Sequence, residues 1–182
     1  LSATVGTPLQ FLGTVQGQTT FGTTTSLGIP DINGEPAQVM GFPASVNPNG
    51  YSIPVDIDAN GGGFLVNEYT LIYDLLYPTS SDGQWRALIE IDADVLSSDA
   101  EIFINPSGGV GISGQYDGNV APDTWHRIGI VVQGVDQTTV LMTKYIDGNE
   151  VGTQTLPLDD RWAMNPFGAA ELFTDNDGDN AP

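Results

Sequence analysis

Asp56-Ile57-Asp58-Ala59-Asn60-Gly61 places oxygen-bearing side chains at three alternate positions and ends on glycine. This is the first half of a D-x-[DN]-x-[DN]-G calcium loop, in which glycine permits the sharp turn that lets those oxygens converge. The second half departs from the pattern. The closing bidentate carboxylate would fall at Asn67, with Glu68 one place late, so the stretch reads either as a calcium turn or as a plain Asp/Asn/Gly turn. Asp175, Asp177 and Asp179 form a second alternating array. Three carboxylates that close repel one another unless a cation neutralises them or the chain end is solvated. Calcium is the cofactor both spacings suggest. A third acidic set, Glu90, Asp92 and Asp94, alternates along a strand-like run, and the two-residue period of a strand puts all three on one face.

Other chemistries are narrowed by what the chain lacks. There is no cysteine and a single histidine, His126. A thiolate nucleophile, a disulfide, a His-rich zinc site and a Ser-His-Asp triad therefore have almost nothing to build on. His126, next to Trp125, reads as a packed or surface strand residue rather than a base. Trp125 and Trp162 read as core. Tyr51, Trp85 and Tyr116 lie near loops and are the better platforms for a ligand, because an aromatic face stacks on the C–H surface of a sugar.

The elements that must hold these residues are strands. Trp125 to Gln133 is dense in β-branched residues, with Ile128, Ile130 and Val132 on one face. Thr138 to Ile146 is a second run, and Asp147-Gly148 has the turn chemistry that returns a third strand antiparallel to it. The expectation is a meander anchored on Trp125. Phe64 to Tyr77 is apolar on both faces and is expected as a central strand. Trp85 to Asp94 follows, then Ala100 to Asn105 and Gly109 to Ser113 as a hairpin around Pro106-Ser107-Gly108. Thr19 to Leu27, Ala37 to Phe42, Tyr51 to Val55 and Glu171 to Thr174 read as shorter strands, and Asp160 to Met164 as a loop anchored by Trp162.

Thr124-Trp125-His126-Arg127-Ile128, an apolar strand and then Tyr145-Ile146-Asp147-Gly148 resemble the W-H-x-(strand)…Y-x-D-G signature of laminin G-like domains, in the concanavalin A-like superfamily. The similarity runs from about Tyr69 to about Asp177, the scale of one sandwich domain. It implies a jelly roll of two antiparallel sheets, with calcium held at the sandwich rim. The superfamily spans lectins, adhesion modules, hydrolases and lyases, so its weight for function is small. Glu90-Ile91-Asp92-Ala93-Asp94 also resembles the E-x-D-x-E strand of laminarinase and lichenase-type glycoside hydrolases. That resemblance implies Glu90 as nucleophile, Asp92 as assistant and Asp94 as acid/base, with outer carboxyls ~5 to 5.5 Å apart. Asp94 is one methylene short of the expected glutamate. In laminin G-like domains an acidic turn like that after Thr174 leads into one more strand. Leu1 to Gln18 is expected either to take that place, in its own chain or in a partner's, or to leave the edge open.

Composition agrees with an all-β chain. The 182 residues include 23 glycines and 12 prolines that punctuate short runs, and no segment keeps a helical apolar period over several turns. The length suits a single domain, 1–182, with 1–18 as a leading arm or closing strand. Against four basic residues stand 17 Asp and 6 Glu, a formal charge of −19. Nucleic acid and anionic membrane surfaces are repelled by such a charge, and no apolar run is long enough to span a bilayer. The bland reading of this acidity is a solvated surface. Leu1 in place of Met is read as the start of a processed or excised piece, and acidity, the expected calcium dependence and the laminin G-like resemblance together favour an extracellular or cell-surface setting.

The expected function is a non-catalytic, calcium-assisted binding or adhesion module for a glycan or surface protein. One alternative is a structural subunit of an extracellular assembly, joined by strand exchange at a sheet edge. The other is a retaining endo-β-glucanase using Glu90, Asp92 and Asp94.

Overall fold

A computed structural model describes residues 3, 6–46, 48–91 and 101–174. Thirteen strands are formed among them. β1 (Gln10–Leu12), β2 (Thr20–Thr23), β3 (Gln38–Gly41) and β4 (Gly50–Pro54) come first, with one helical turn, α1 (Thr24–Leu27), between β2 and β3. β5 (Tyr69–Leu75), β6 (Arg86–Glu90), β7 (Glu101–Ile104), β8 (Val110–Ile112) and β9 (Gln115–Asp117) follow. β10 (His126–Gly134), β11 (Thr139–Ile146), β12 (Asn149–Pro157) and β13 (Ala169–Leu172) complete the set.

Two antiparallel sheets share one core. The larger runs β1-β4-β13-β6-β7-β8-β9 and the smaller β12-β11-β10-β5, while β2 and β3 make a separate hairpin. Alternation explains the layering. Ile128, Ile130 and Val132 of β10 and Met142 of β11 are buried against Ile89, Ile102, Ile104, Val110 and Ile112 of the larger sheet. Trp162 is part of this core, 1% exposed, as expected of the loop it anchors.

The expected meander is present. β10 pairs with β11 from Ile128↔Ile146 to Gly134↔Val140, and β11 returns into β12 at Asp147-Gly148. Both turn residues have positive φ, +53° and +80°, the geometry that Asp-Gly supplies in a two-residue hairpin. Ser113-Gly114, at +53° and +80°, repeats this device and creates β9, a strand the sequence reading did not separate.

Three expectations are corrected, on β5, Trp125 and Thr24 to Leu27, and the N-terminal arm takes one of its expected places. β5 begins at Tyr69 rather than Phe64, and it is an edge strand rather than a central one. Its second apolar face is open to solvent, with Ile72 64% exposed. Trp125 is not core: half-buried, it donates its Nε1–H to the Pro30 carbonyl at 2.7 Å and pins the loop that follows α1. Thr24 to Leu27 leaves the strand conformation because Thr23 Oγ1 accepts the Ser26 N–H as a helix cap, and Gly28 closes the turn at φ +71°. The N-terminal arm is spent within its own chain, with Phe11 of β1 opposite Tyr51 of β4. No helix among the described residues is long and apolar enough to cross a membrane.

Candidate functional site

The outward face of the larger sheet gathers aromatics and carboxylates into neighbouring rows. In β7, Ile102 and Ile104 point into the core, so Phe103 points away from it. Register extends that outer row as Ala87↔Phe103↔Gly111↔Tyr116. Gly111 carries no side chain between Phe103 and Tyr116, and Trp85 packs edge-on against both flanking rings. Its ring centroid lies 5.5 Å from that of Phe103 and 5.2 Å from that of Tyr116. Phe103 is buried beneath, whereas Trp85 and Tyr116 are half-buried. Two of the three aromatics expected as ligand platforms thus meet, although 31 positions separate them in the chain.

The next row is acidic. Glu90 alternates with the core residues Ile89 and Ile91, and Glu171 alternates with Ala170 and Leu172. Register joins Ser52↔Glu171↔Glu90↔Glu101 across β4, β13, β6 and β7. Opposed residues of adjacent strands hold their Cβ atoms roughly 5 Å apart. Glu90 is fully buried and Glu171 half-buried. Sequence reading singled out Glu90 but missed Glu171 and Glu101. Each is an acid inside an otherwise apolar strand, which was the available signal, but nothing in one strand's sequence tells which residue of another it will face. Asp92 and Asp94 lie outside the described residues.

The third platform residue, Tyr51, does not belong to this face. It is 0% exposed between the sheets, with its hydroxyl 2.6 Å from Thr19 Oγ1 and its ring against Phe11, Phe42 and Phe173. Its position in β4 opposite Leu172 turns it inward, so it presents no face to a ligand.

At 56–61, Asp56 and Asp58 are exposed, and Thr7 Oγ1 reaches Asp56 Oδ2 at 3.4 Å. Asn60 is engaged by the protein. Its Oδ1 accepts the N–H groups of Asn67 and Glu68 at 2.9 and 2.7 Å, and its Nδ2 donates to the Glu68 carbonyl. Both lone pairs of that oxygen are used, so Asn60 would have to surrender them to ligate a cation. Among the described residues no three His, Cys, Asp or Glu side chains group as a metal site. Asp175, Asp177 and Asp179 lie outside the described residues.

This same loop is braced by Asp159. Its carboxylate accepts the N–H groups of Phe64 and Leu65 and an amide hydrogen of Asn67, with Asn67 Nδ2 at 2.7 Å. Those donors hold the Asp159 carboxyl below the usual carboxylate range, the Phe64 N–H foremost.

His126 is locked in one tautomer. Its Nδ1 lies 2.7 Å from Asp147 Oδ2, while Nε2 accepts the Ala121 N–H at 3.1 Å, which requires the proton on Nδ1. Burial alone would raise the Asp147 carboxyl, but the Arg127 N–H and the His126 ring outweigh it and the group sits below its usual range. Both ring nitrogens are thus committed, Nδ1 to Asp147 of the turn and Nε2 to the Ala121 N–H. Compared with protein-family models, curated proteins and solved structures, the chain matches none.

Proposed function

We propose that this chain is a non-catalytic, extracellular carbohydrate-binding module of the laminin G-like jelly-roll type, which takes its ligand on the outer face of the larger sheet. The observation that carries this reading is the meeting of Trp85 and Tyr116 over Phe103, beside the row that holds Glu90 and Glu171. Trp85, edge-on to both Phe103 and Tyr116, forms with Tyr116 a rigid apolar surface for the C–H face of a sugar, and the half-buried Glu171 of the next row accepts hydroxyl hydrogens. A glycan lying across the strands would meet both rows. The W-H…Y-x-D-G resemblance and the acidic, cysteine-free composition support the setting. Calcium assistance belongs to this proposal through Asp56 and Asp58, whose carboxylates face solvent.

The row Glu171↔Glu90↔Glu101 favours a second reading, hydrolysis of a β-glucan on the same face with Glu90 as the nucleophile. Full burial of Glu90 weighs against it, because a nucleophile must touch the sugar. A glycan array followed by titration calorimetry on the best ligand tests the first reading. Trp85→Ala and Tyr116→Ala should each weaken binding by about tenfold, equivalent to about 1.4 kcal/mol. Binding that ignores both substitutions removes the site. New reducing ends that appear with wild type and vanish with Glu90→Gln would establish the hydrolase instead.

A further inference from the structure

Four strand edges bound the two sheets, and three of them are blunted. β1 and β9 are only three residues long. β12 is covered where the Gln115 side chain of β9 donates to the Thr153 carbonyl at 2.5 Å, and its pairing with β11 shifts register at Lys144/Tyr145. Short strands, bulges and covering side chains are the usual protection against edge-to-edge association.

β5 has none of these. Its seven residues, Tyr69-Thr70-Leu71-Ile72-Tyr73-Asp74-Leu75, contain no proline, glycine or lysine. Its register with β10 is unbroken from Tyr69↔Val132 to Leu75↔His126. Among the described residues no strand and no backbone hydrogen bond engages its far side. Ile72 stands at its middle, 64% exposed.

Electrostatics single out the same edge. In a chain of charge −19, β5 carries one acid, Asp74, and the adjoining β10 carries one permanent cation, Arg127. These two form a bidentate pair, Nε to Oδ1 at 2.7 Å and an Nη to Oδ2 at 2.6 Å, so the β5–β10 strip is neutral. An antiparallel copy of β5 placed about a two-fold axis through Ile72 sets Ile72 against the partner's Ile72. It sets Thr70, a hydroxyl donor, against the partner's Asp74, and no like charges face each other. Isologous pairing of this kind is self-complementary by symmetry.

We propose that β5 is a dimerisation edge: two copies pair antiparallel through β5 about Ile72, fusing two four-stranded sheets into one of eight strands. The contact lies on the smaller sheet, away from the Trp85–Tyr116 face, so it stands or falls independently of carbohydrate binding. Native mass measurement and sedimentation across a concentration series up to the millimolar range are the test, with folding of each variant checked by circular dichroism. Wild type should give a dimer. Ile72→Lys and Ile72→Asp, which set like charges face to face at the axis, should each weaken it by about tenfold or more. Mixing the two variants should restore a heterodimer, which a general loss of folding would not produce. A wild-type monomer throughout, a dimer indifferent to both substitutions, or a mixture that stays monomeric overturns the proposal.

Discussion

The ammonium of Lys144 lies 2.5 Å from Oδ2 of Asp117, and no part of the lysine reaches solvent. Lys144 occupies the inward side of β11, in line with Ile130 and Gly152, where its neighbours on β10 and β11 are apolar. Asp117, at the end of β9, reaches across between the sheets, and the lysine also donates to the Gln115 carbonyl at 3.2 Å. Gly152 makes the room, since a Cβ there would come within 2.3 Å of the Asp117 carboxylate. The pair ties the open end of the larger sheet to the middle of the smaller one.

Removing one partner strands a charge, so Asp117→Ala should destabilise the protein by about 3 to 5 kcal/mol. The double variant Asp117→Ala with Lys144→Met should recover a large part of that loss, because the lysine stem is replaced by an apolar side chain of similar length. Urea unfolding of the two variants measures this. A double variant no more stable than the single one would mean that the pair acts by shape rather than by charge.

Acid should unfold the 60–68 and 159–164 loops through Asp159. A carboxyl held below its unfolded value of about 3.9 contributes stability that is present above that pH and is lost as pH falls through the lower, folded value. Asp159→Asn suits the site, because its φ is +56° and asparagine tolerates the left-handed region. This variant should be less stable than wild type at neutral pH and should lose less stability below about pH 4. Thermal melts across the acid range decide it, and parallel wild-type and variant curves would refute the linkage.

Asn60 should matter with or without calcium. Asn60→Ala removes acceptors from the Asn67 and Glu68 N–H groups and should cost about 1 to 3 kcal/mol. The fall in melting temperature should be the same in calcium and in chelator. A loss confined to the calcium-containing buffer would make Asn60 a ligand after all.

Local residue chemistry settled much of this protein before any fold was known. β-Branched alternation marked β10 and β11, Asp147-Gly148 placed the turn to β12, and the Asn105 to Gly109 segment read as a hairpin, because strand period and turn geometry are properties of a few consecutive residues. The alternation of Glu90, Asp92 and Asp94 pointed to Glu90. What consecutive residues cannot state is which strand lies beside which. β13 inserts between β4 and β6, which sets Glu171 beside Glu90 and Leu172 beside Tyr51, and in the other sheet β5 pairs with β10 and stands at an edge. Register and strand order are resolved only when both sheets bury their apolar faces together, since that collective burial chooses among pairings whose local energies are alike. Strand content and turns were therefore local outcomes, whereas the aromatic and acidic face and the exposed edge came from tertiary packing.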